Sequence, residues 1–260
     1  MDHLQRVKHE FARQADTFAA AAAITDEELT RRFSEAIGRN GTGKILDVAC
    51  GPGIVSAALA KAAHAVVAFD LTPEMLAKAR DRCAQAGLTN VTFQEGSATD
   101  LPFAPESFDG VVTRLAIHHL GDPGRAFAEM FRVLRPGGTL VVADVVSAED
   151  ADAAALQNAI EVLRDPSHVR MLPRSELVAL IEGAGFHIGQ ESTWDKMREF
   201  EEWMGIVNDP ERVAPLRIVV RALARVGESA GMGLSLADGK ILFFHRWCMI
   251  AAIKPAGQVT

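Results

Sequence analysis

The sequence predicts a doubly wound α/β fold with a mostly parallel sheet. Three observations carry this. Short apolar runs of strand length alternate with helix-length amphipathic segments. The runs are too continuous for a half-exposed sheet, so both faces must be covered. The first run also ends in a Gly-Pro-Gly turn that leads straight into a helix. The chain has 260 residues, 48% of them apolar and 23% charged, as expected of one large globular unit.

In chain order, residues 1–39 read as helical. Five alanines occupy 19–23, and Leu29, Phe33 and Ile37 recur at four-residue spacing. RNGTG at 39–43 breaks that pattern. Strands follow at 45–49, 65–70, 91–94, 108–115 and 140–146. One intervening helix opens at Thr72-Pro73 and another at Asp122-Pro123, each with proline at the first helical position, and the second stops at Arg135-Pro136-Gly137-Gly138. Residues 175–186 read as a helix closed by Gly183 and Gly185, and 186–194 as a strand. Residues 195–239 read as mainly helical and 241–254 as a long final strand, so a helical insertion would sit over one end of the sheet.

Composition narrows the function classes. The net charge of −7 lacks the basic footprint of a nucleic-acid binder. No apolar run approaches the about 20 residues of a membrane span, and the charged start MDHLQRVKHEF shows no signal-peptide core. Cys50, Cys83 and Cys248 form neither a disulfide framework nor a metal-ligand spacing, so a cytoplasmic location and no metal are expected. Tyrosine is absent, which leaves histidine and carboxylate as candidate bases.

The strongest local signal is Asp47-Val48-Ala49-Cys50-Gly51-Pro52-Gly53 followed by a helix. Glycine admits a ligand close to the backbone, and the helix start offers free N–H groups. Asp70 ends the next strand, 19 residues after Gly51, where an acid can accept both ribose hydroxyls. A nicotinamide-dinucleotide fingerprint would need glycine where Ser56 stands. Asp47 instead suits a ligand with an ammonium group, as in S-adenosylmethionine.

With DVACGPG (47–53), AFDLTPEML (68–76), EGSATDLPFAPESFDGVVTRLAIHHL (95–120) and RVLRPGGTLVVADVV (132–146), in that order, the chain resembles the class I S-adenosylmethionine-dependent methyltransferases, in their UbiE-like (type 11) branch. The resemblance covers roughly residues 10–190. It implies a seven-stranded Rossmann-like sheet, with a helical lid at 1–39, the cofactor core at 40–194, a helical cap at 195–240 on the substrate side, and the final strand and tail at 241–260. It places S-adenosylmethionine against Asp47, Ala49 (often glycine in the family), Gly51, Gly53, Asp70, Leu71, Met75, Ser97 (often aspartate), Ala98 and Arg114. Phe11-x-x-Gln14-Ala15-x-x-Phe18 resembles the lid motif, with Gln14 and Phe18 closing over the sulfonium. The product would be S-adenosylhomocysteine.

Candidates for the methyl acceptor's side must follow strands. His118 and His119 after the fourth strand, and His168 in LRDPSHVR (163–170), are candidate bases, unless they cap or pack locally. Asp144 would hold substrate or bond backbone N–H groups. Arg170 would pair with a substrate anion or with a local acid. Arg217, Arg221 and Arg225 form a basic stripe that reads more simply as a solvated face. All three tryptophans, Trp194, Trp203 and Trp247, lie in the last quarter, and with Phe200, Phe243 and Phe244 they suggest an apolar pocket or plain core packing. The expected function is methyl transfer to the O, N or C nucleophile of a small molecule, by a monomer or homodimer. A cofactor-binding protein that does not methylate and an NAD(P)-dependent oxidoreductase are the alternatives.

Overall fold

The structure is a computed structural model and describes residues 2–21, 27–207 and 209–256. Its elements in chain order are α1 (His3–Ala20), α2 (Glu27–Ile37), a 3-10 turn (Gly38–Thr42), β1 (Lys44–Val48), α3 (Ile54–Leu59), β2 (Ala65–Asp70), α4 (Pro73–Gln85) and β3 (Val91–Glu95). Next come β4 (Phe108–Arg114), a 3-10 turn (Ile117–His119), α5 (Pro123–Val133), β5 (Leu134–Val146), α6 (Ala151–Arg164) and α7 (Arg174–Gly183). The chain closes with β6 (His187–Glu199), α8 (Phe200–Val207), α9 (Pro210–Arg225), β7 (Ser235–Ala237) and β8 (Lys240–Ile253).

The sheet order is β3-β2-β1-β4-β5-β8-β6. Strands β1 to β5 pair in parallel, and β8 runs antiparallel between β5 and β6. An eighth strand, the short β7, forms a hairpin with β8. Alternation along β1 sends Leu46 and Val48 to one core and Ile45 to the other. Helices α5 and α7 cover the first face through Phe127, Met130, Leu177 and Ile181. Helices α2 and α3 cover the second, where Leu29, Phe33 and Ile37 are all buried, as their spacing predicts. A third cluster joins α6, α8, α9 and β8 around Phe200, Trp203, Leu216, Val220 and Phe243. Phe200, Trp203 and Phe243 therefore serve first as core of this layer, while Trp194 and Trp247 pack with the second face.

Three boundaries differ from the sequence expectation. Helix α5 ends at Val133, and Arg135-Pro136-Gly137-Gly138 belong to the start of β5. Residues 195–199 are strand, because β6 keeps pairing with β8 as far as Glu199–Leu242. The insertion is thus α8 and α9 followed by a β-hairpin. Thr72 makes no side-chain capping bond to α4, whereas Asp122 caps α5 by accepting the Arg125 N–H at 2.9 Å.

Two neighbouring residues of the β1–α3 turn show opposite local strain. Ala49 has φ +56°, a left-handed conformation that costs an L-residue about 1–2 kcal/mol. Gly53 has φ +73°, and a Cβ there would lie 2.7 Å from Ala79 Cβ and 2.9 Å from Ala79 Cα. Its glycine is required by the contact between the α3 start and α4. Ala49→Gly should raise unfolding free energy by about 0.5–1 kcal/mol, after the entropic cost of glycine. Gly53→Ala should lower it by about 2 kcal/mol or more. Urea denaturation midpoints compare the two; equal shifts would contradict this account of the turn.

Candidate functional site

The carboxyl ends of the parallel strands meet a cleft covered by α1. Two adjacent cavities lie there. The outer one is lined by Asp47, Ala49 and Gly51 from the first turn, by Asp70, Leu71 and Met75 from the second, and by Ser97 and Ala98 after β3. Arg114 from β4 and Phe18 from α1 complete this part of the wall. Ten of the twelve residues expected around the cofactor are thereby brought together. Gly53 is spent on helix packing, and Gln14 faces the inner cavity, where its amide donates to Asp165 Oδ2 at 3.3 Å.

Local chemistry explains why this wall is shaped as it is. Gly51 has φ +53°, and the atom nearest to a Cβ built there is Phe18 Cε1 at 4.0 Å. The turn thus exposes bare backbone to open space. Asp70 Oδ2 accepts the Gly51 N–H and Oδ1 the Thr72 N–H, both at 2.8 Å. Each oxygen keeps a lone pair for a hydroxyl. Burial pushes the Asp70 carboxyl above its usual range, against the pull of those two amides. Asp47 is buried and accepts the Ser56 hydroxyl at 2.5 Å. Burial pushes its pKa up to about 7, with the Ser56 bond and the Arg114 charge opposing the rise. A polar end at Asp47, a diol acceptor at Asp70 and apolar Leu71 and Met75 fit an amino-acid-bearing nucleoside such as S-adenosylmethionine.

The inner cavity shares Phe11, Phe18, Leu115 and His119 with the outer one. Its histidines are differentiated. His118 Nδ1 bonds Asp144 Oδ1 at 2.5 Å. Burial alone would lower the His118 pKa, but the Asp144 carboxylate outweighs it and holds the imidazolium above its usual range. His119 falls to about 3 through burial and the neighbouring His118 charge, and its Nδ1 contacts Ser167 Oγ at 3.2 Å. His168 falls to about 4, chiefly by burial, and its Nε2 lies 2.9 Å from Asn158 Oδ1.

Asp144 lies outside both linings. It accepts the N–H groups of Ile117 and Val145, each at 2.7 Å, in addition to the His118 ring. Its geometry therefore matches the backbone-bonding alternative, with His118 added. Arg170 is half-exposed and paired with Glu176 at 2.9 Å, also outside both cavities. Arg217 pairs with Glu201, and Arg221 reaches only the Gly239 carbonyl, as a solvated face would. Trp203 does line the inner cavity, under the Arg164 guanidinium at 4.5 Å. Among the described residues no group of three or more His, Cys, Asp or Glu side chains could hold a metal ion.

Trp247 lines the inner cavity too, whereas sequence reasoning missed Glu161, Arg164, Arg198 and His245. One signal was present in α6. Gln157, Ile160, Glu161 and Arg164 follow helical spacing and face inward, while Val162 and Leu163 are exposed. The helix presents its charges to the protein and apolar residues to water, the reverse of a simple surface helix.

Comparison with known proteins agrees with this architecture. Residues 46–142 match the "Methyltransferase domain" family of type 11. The chain is 37% identical to the uncharacterised protein YafE of Escherichia coli over 147 residues, spanning 56% of this chain and 71% of YafE. It is 36% identical to the demethylmenaquinone methyltransferase of Renibacterium salmoninarum over 149 residues, 54% of this chain and 61% of that enzyme. A Bacillus halodurans structure solved as a candidate methyltransferase superposes with a TM-score of 0.81 at 30% identity, covering 87% of this chain and 98% of that one. The strand order, the glycine turn with its two acids and these relatives converge, and they set aside the nicotinamide alternative: the chain belongs to the class I, UbiE-like methyltransferases, whose cofactor is S-adenosylmethionine.

Proposed function

We propose that the protein transfers a methyl group to a small molecule held in the inner cavity, with His118 as the general base. One observation carries this reading. The inner cavity lies beside the cofactor cavity and shares Phe11, Phe18, Leu115 and His119 with it. Asp70 holds the ribose hydroxyls, Leu71 and Met75 cover the adenine, and Ser97 with the Ala98 N–H meets its edge. The Gly51 backbone, Ala49, Asp47 and Arg114 take the amino-acid end. When bound, S-adenosylmethionine supplies an electrophilic methyl group on a positively charged sulfur. The protein aligns the nucleophile with that methyl and keeps water out.

Helix α1 acts as the lid, within residues 1–39, and α8 and α9 form the substrate-side cap within 195–240. Gln14 and Phe18 face the reacting region from the lid. Trp203 and Trp247 supply apolar surface from the cap and β8. A net charge of −7 favours a small molecule over a nucleic acid as acceptor.

His118 is favoured over its neighbours by charge. A base that takes the nucleophile's proton becomes cationic, and Asp144 stabilises that cation at 2.5 Å. His119 and His168, with pKa values near 3 and 4, resist protonation. They line the space without competing for the proton.

Asp70→Ala should weaken S-adenosylmethionine binding by about 10-fold or more, the loss of two charge-assisted bonds. Calorimetry checks this; unchanged affinity would remove Asp70 from the ribose. Incubation with labelled S-adenosylmethionine and a metabolite extract should yield S-adenosylhomocysteine with a methylated small molecule, and failure of the wild-type chain to bind the cofactor would sink the proposed function.

With that product as substrate, kcat should rise with pH through a pKa above the ordinary histidine value, as His118 loses its proton. His118→Gln should lower kcat by about 10²–10⁴-fold and flatten that limb. The stability effect has a defined sign. A folded-state pKa raised above 6.5 gives stability that is present below pH 6.5 and is lost as pH rises through the folded value. His118→Gln should therefore cost stability at pH 6 and little at pH 9. Equal losses at both would show that the His118–Asp144 charge pair is not what holds the turn.

A further inference from the structure

The inner cavity contains two tryptophans and two buried arginines, and its hydrogen-bond bookkeeping is one-sided. Each of its carboxylates takes at least one bond from within the chain, and Glu161 Oε2 faces the Arg164 guanidinium at 3.7 Å. Glu161 Oε1 lies 3.1 Å from His245 Nε2, and His245 Nδ1 faces Arg198 Nη1 at 3.3 Å. The relay Arg198 to His245 to Glu161 thus needs only a neutral imidazole. Asp165 Oδ1 accepts the Ser167 N–H at 2.9 Å and its hydroxyl at 2.6 Å, and Oδ2 takes the Gln14 amide.

The donors are not all served. The Arg164 guanidinium carbon stands 4.5 Å from the Trp203 ring centre, with a side chain 12% exposed. It donates through Nη2 to the Trp203 carbonyl at 3.2 Å, while Nη1 stands 3.7 Å from Glu161 Oε2, beyond hydrogen-bond range. Its Nε is buried without a partner, and so is Nε1 of Trp247. Among the described residues, these are the fully buried side-chain atoms of this cavity that lack a partner, and both are N–H donors. Unmet buried donors are costly, and a ligand that brings acceptor oxygens relieves them. A cationic ligand would leave both unmet and add a charge beside Arg164 and Arg198.

We propose that the methyl acceptor is a small organic acid whose carboxylate docks on the Nε–Nη2 edge of Arg164, within reach of the Trp247 N–H, with its apolar body against the Trp203 side of the cavity. This rests on the reading of the inner cavity as the acceptor site. The Nε–Nη2 edge matches the two oxygens of a carboxylate, which an ammonium group in place of the guanidinium cannot do. Arg164 and Trp247 then set specificity in the same cavity as the His118 base, and no bond to carbon is made or broken at them.

The test uses three flat probes of one size, benzoate, benzamide and benzylamine. Each is titrated by ligand-observed NMR into the full chain, with and without saturating S-adenosylhomocysteine. Benzoate should bind at least 10-fold more tightly than benzylamine, with benzamide between. Arg164→Lys should weaken benzoate 5- to 10-fold and leave S-adenosylhomocysteine affinity within twofold. Trp247→Phe keeps an aromatic ring against Trp194 and removes the N–H; it should weaken benzoate about threefold, and it decides the matter should Arg164→Lys fail to fold. Benzylamine binding as tightly as benzoate, or benzoate binding unchanged in the folded variants, overturns the proposal. Absence of S-adenosylhomocysteine binding to the wild type would instead refute the proposed function, and benzoate binding measured without it still judges the carboxylate site.

Discussion

Three carboxylates are buried along the carboxyl ends of β1, β2 and β5, and the cleft is organised around the need to satisfy them. A buried carboxylate without donors is expensive, so each collects hydrogen bonds from the turn that follows its strand or from a neighbouring one. Asp70 takes the N–H groups of Gly51 and Thr72 and so ties the first two turns together. Asp47 takes the Ser56 hydroxyl from α3. Asp144 takes Ile117 and Val145 N–H groups and the His118 ring, which pins the turn after β4 to β5. Parallel pairing brings these ends into one row, since β2, β1, β4 and β5 are consecutive neighbours. The residues that build the cleft are thus also those that hold its walls apart.

That constraint separates the two cavities chemically. On the cofactor side, the carboxylates of Asp47 and Asp70 are raised by burial and keep lone pairs free. On the inner side, Asp144 is shielded behind His118 and acts through it. Three histidines packed within 4.3–6.0 Å of one another cannot all be charged. The one that touches a carboxylate keeps the proton, and the others become neutral. The asymmetry comes from one strand-end acid, not from any difference among the imidazoles themselves.

How much of this was legible in the sequence depends on how local each feature is. The glycine turn, Asp70 and the alternating elements are short-range patterns, and they were readable. Gly53 was not, because the reason for it is Ala79, a residue on the next helix that approaches within 2.9 Å of an added Cβ. Asp144 was readable only as two alternatives, since both its position after a strand and its chemistry suit substrate or backbone. The inner wall was largely hidden. Glu161 and His245 are 84 residues apart and meet only because α6 lies against β8. Charges turned inward on α6 also run against hydrophobic periodicity, the main signal by which a helix face is assigned. Residues that violate that rule are the ones with a cavity to line.

Helix α1 makes one space out of these two halves. On the core side His3 bonds the His119 carbonyl at 2.8 Å and Lys8 pairs with Glu95. On the other side Thr17 bonds the Ile206 carbonyl, Gln14 bonds Asp165, and Glu10 is buried between Arg13 and Arg212 of α9. The core-side ion pairs are exposed, and exposed pairs contribute little, about 0–1 kcal/mol. The ties to α8 and α9 are buried and several. Helix α1 is therefore tied to the α8–α9 layer on one side and to α4 on the other, where Arg82 donates to the Ala19 carbonyl at 3.4 Å and Lys78 pairs with Asp16. Phe11 of α1 packs its ring edge-on against His119 at 4.9 Å, so the helix also closes onto the turn after β4.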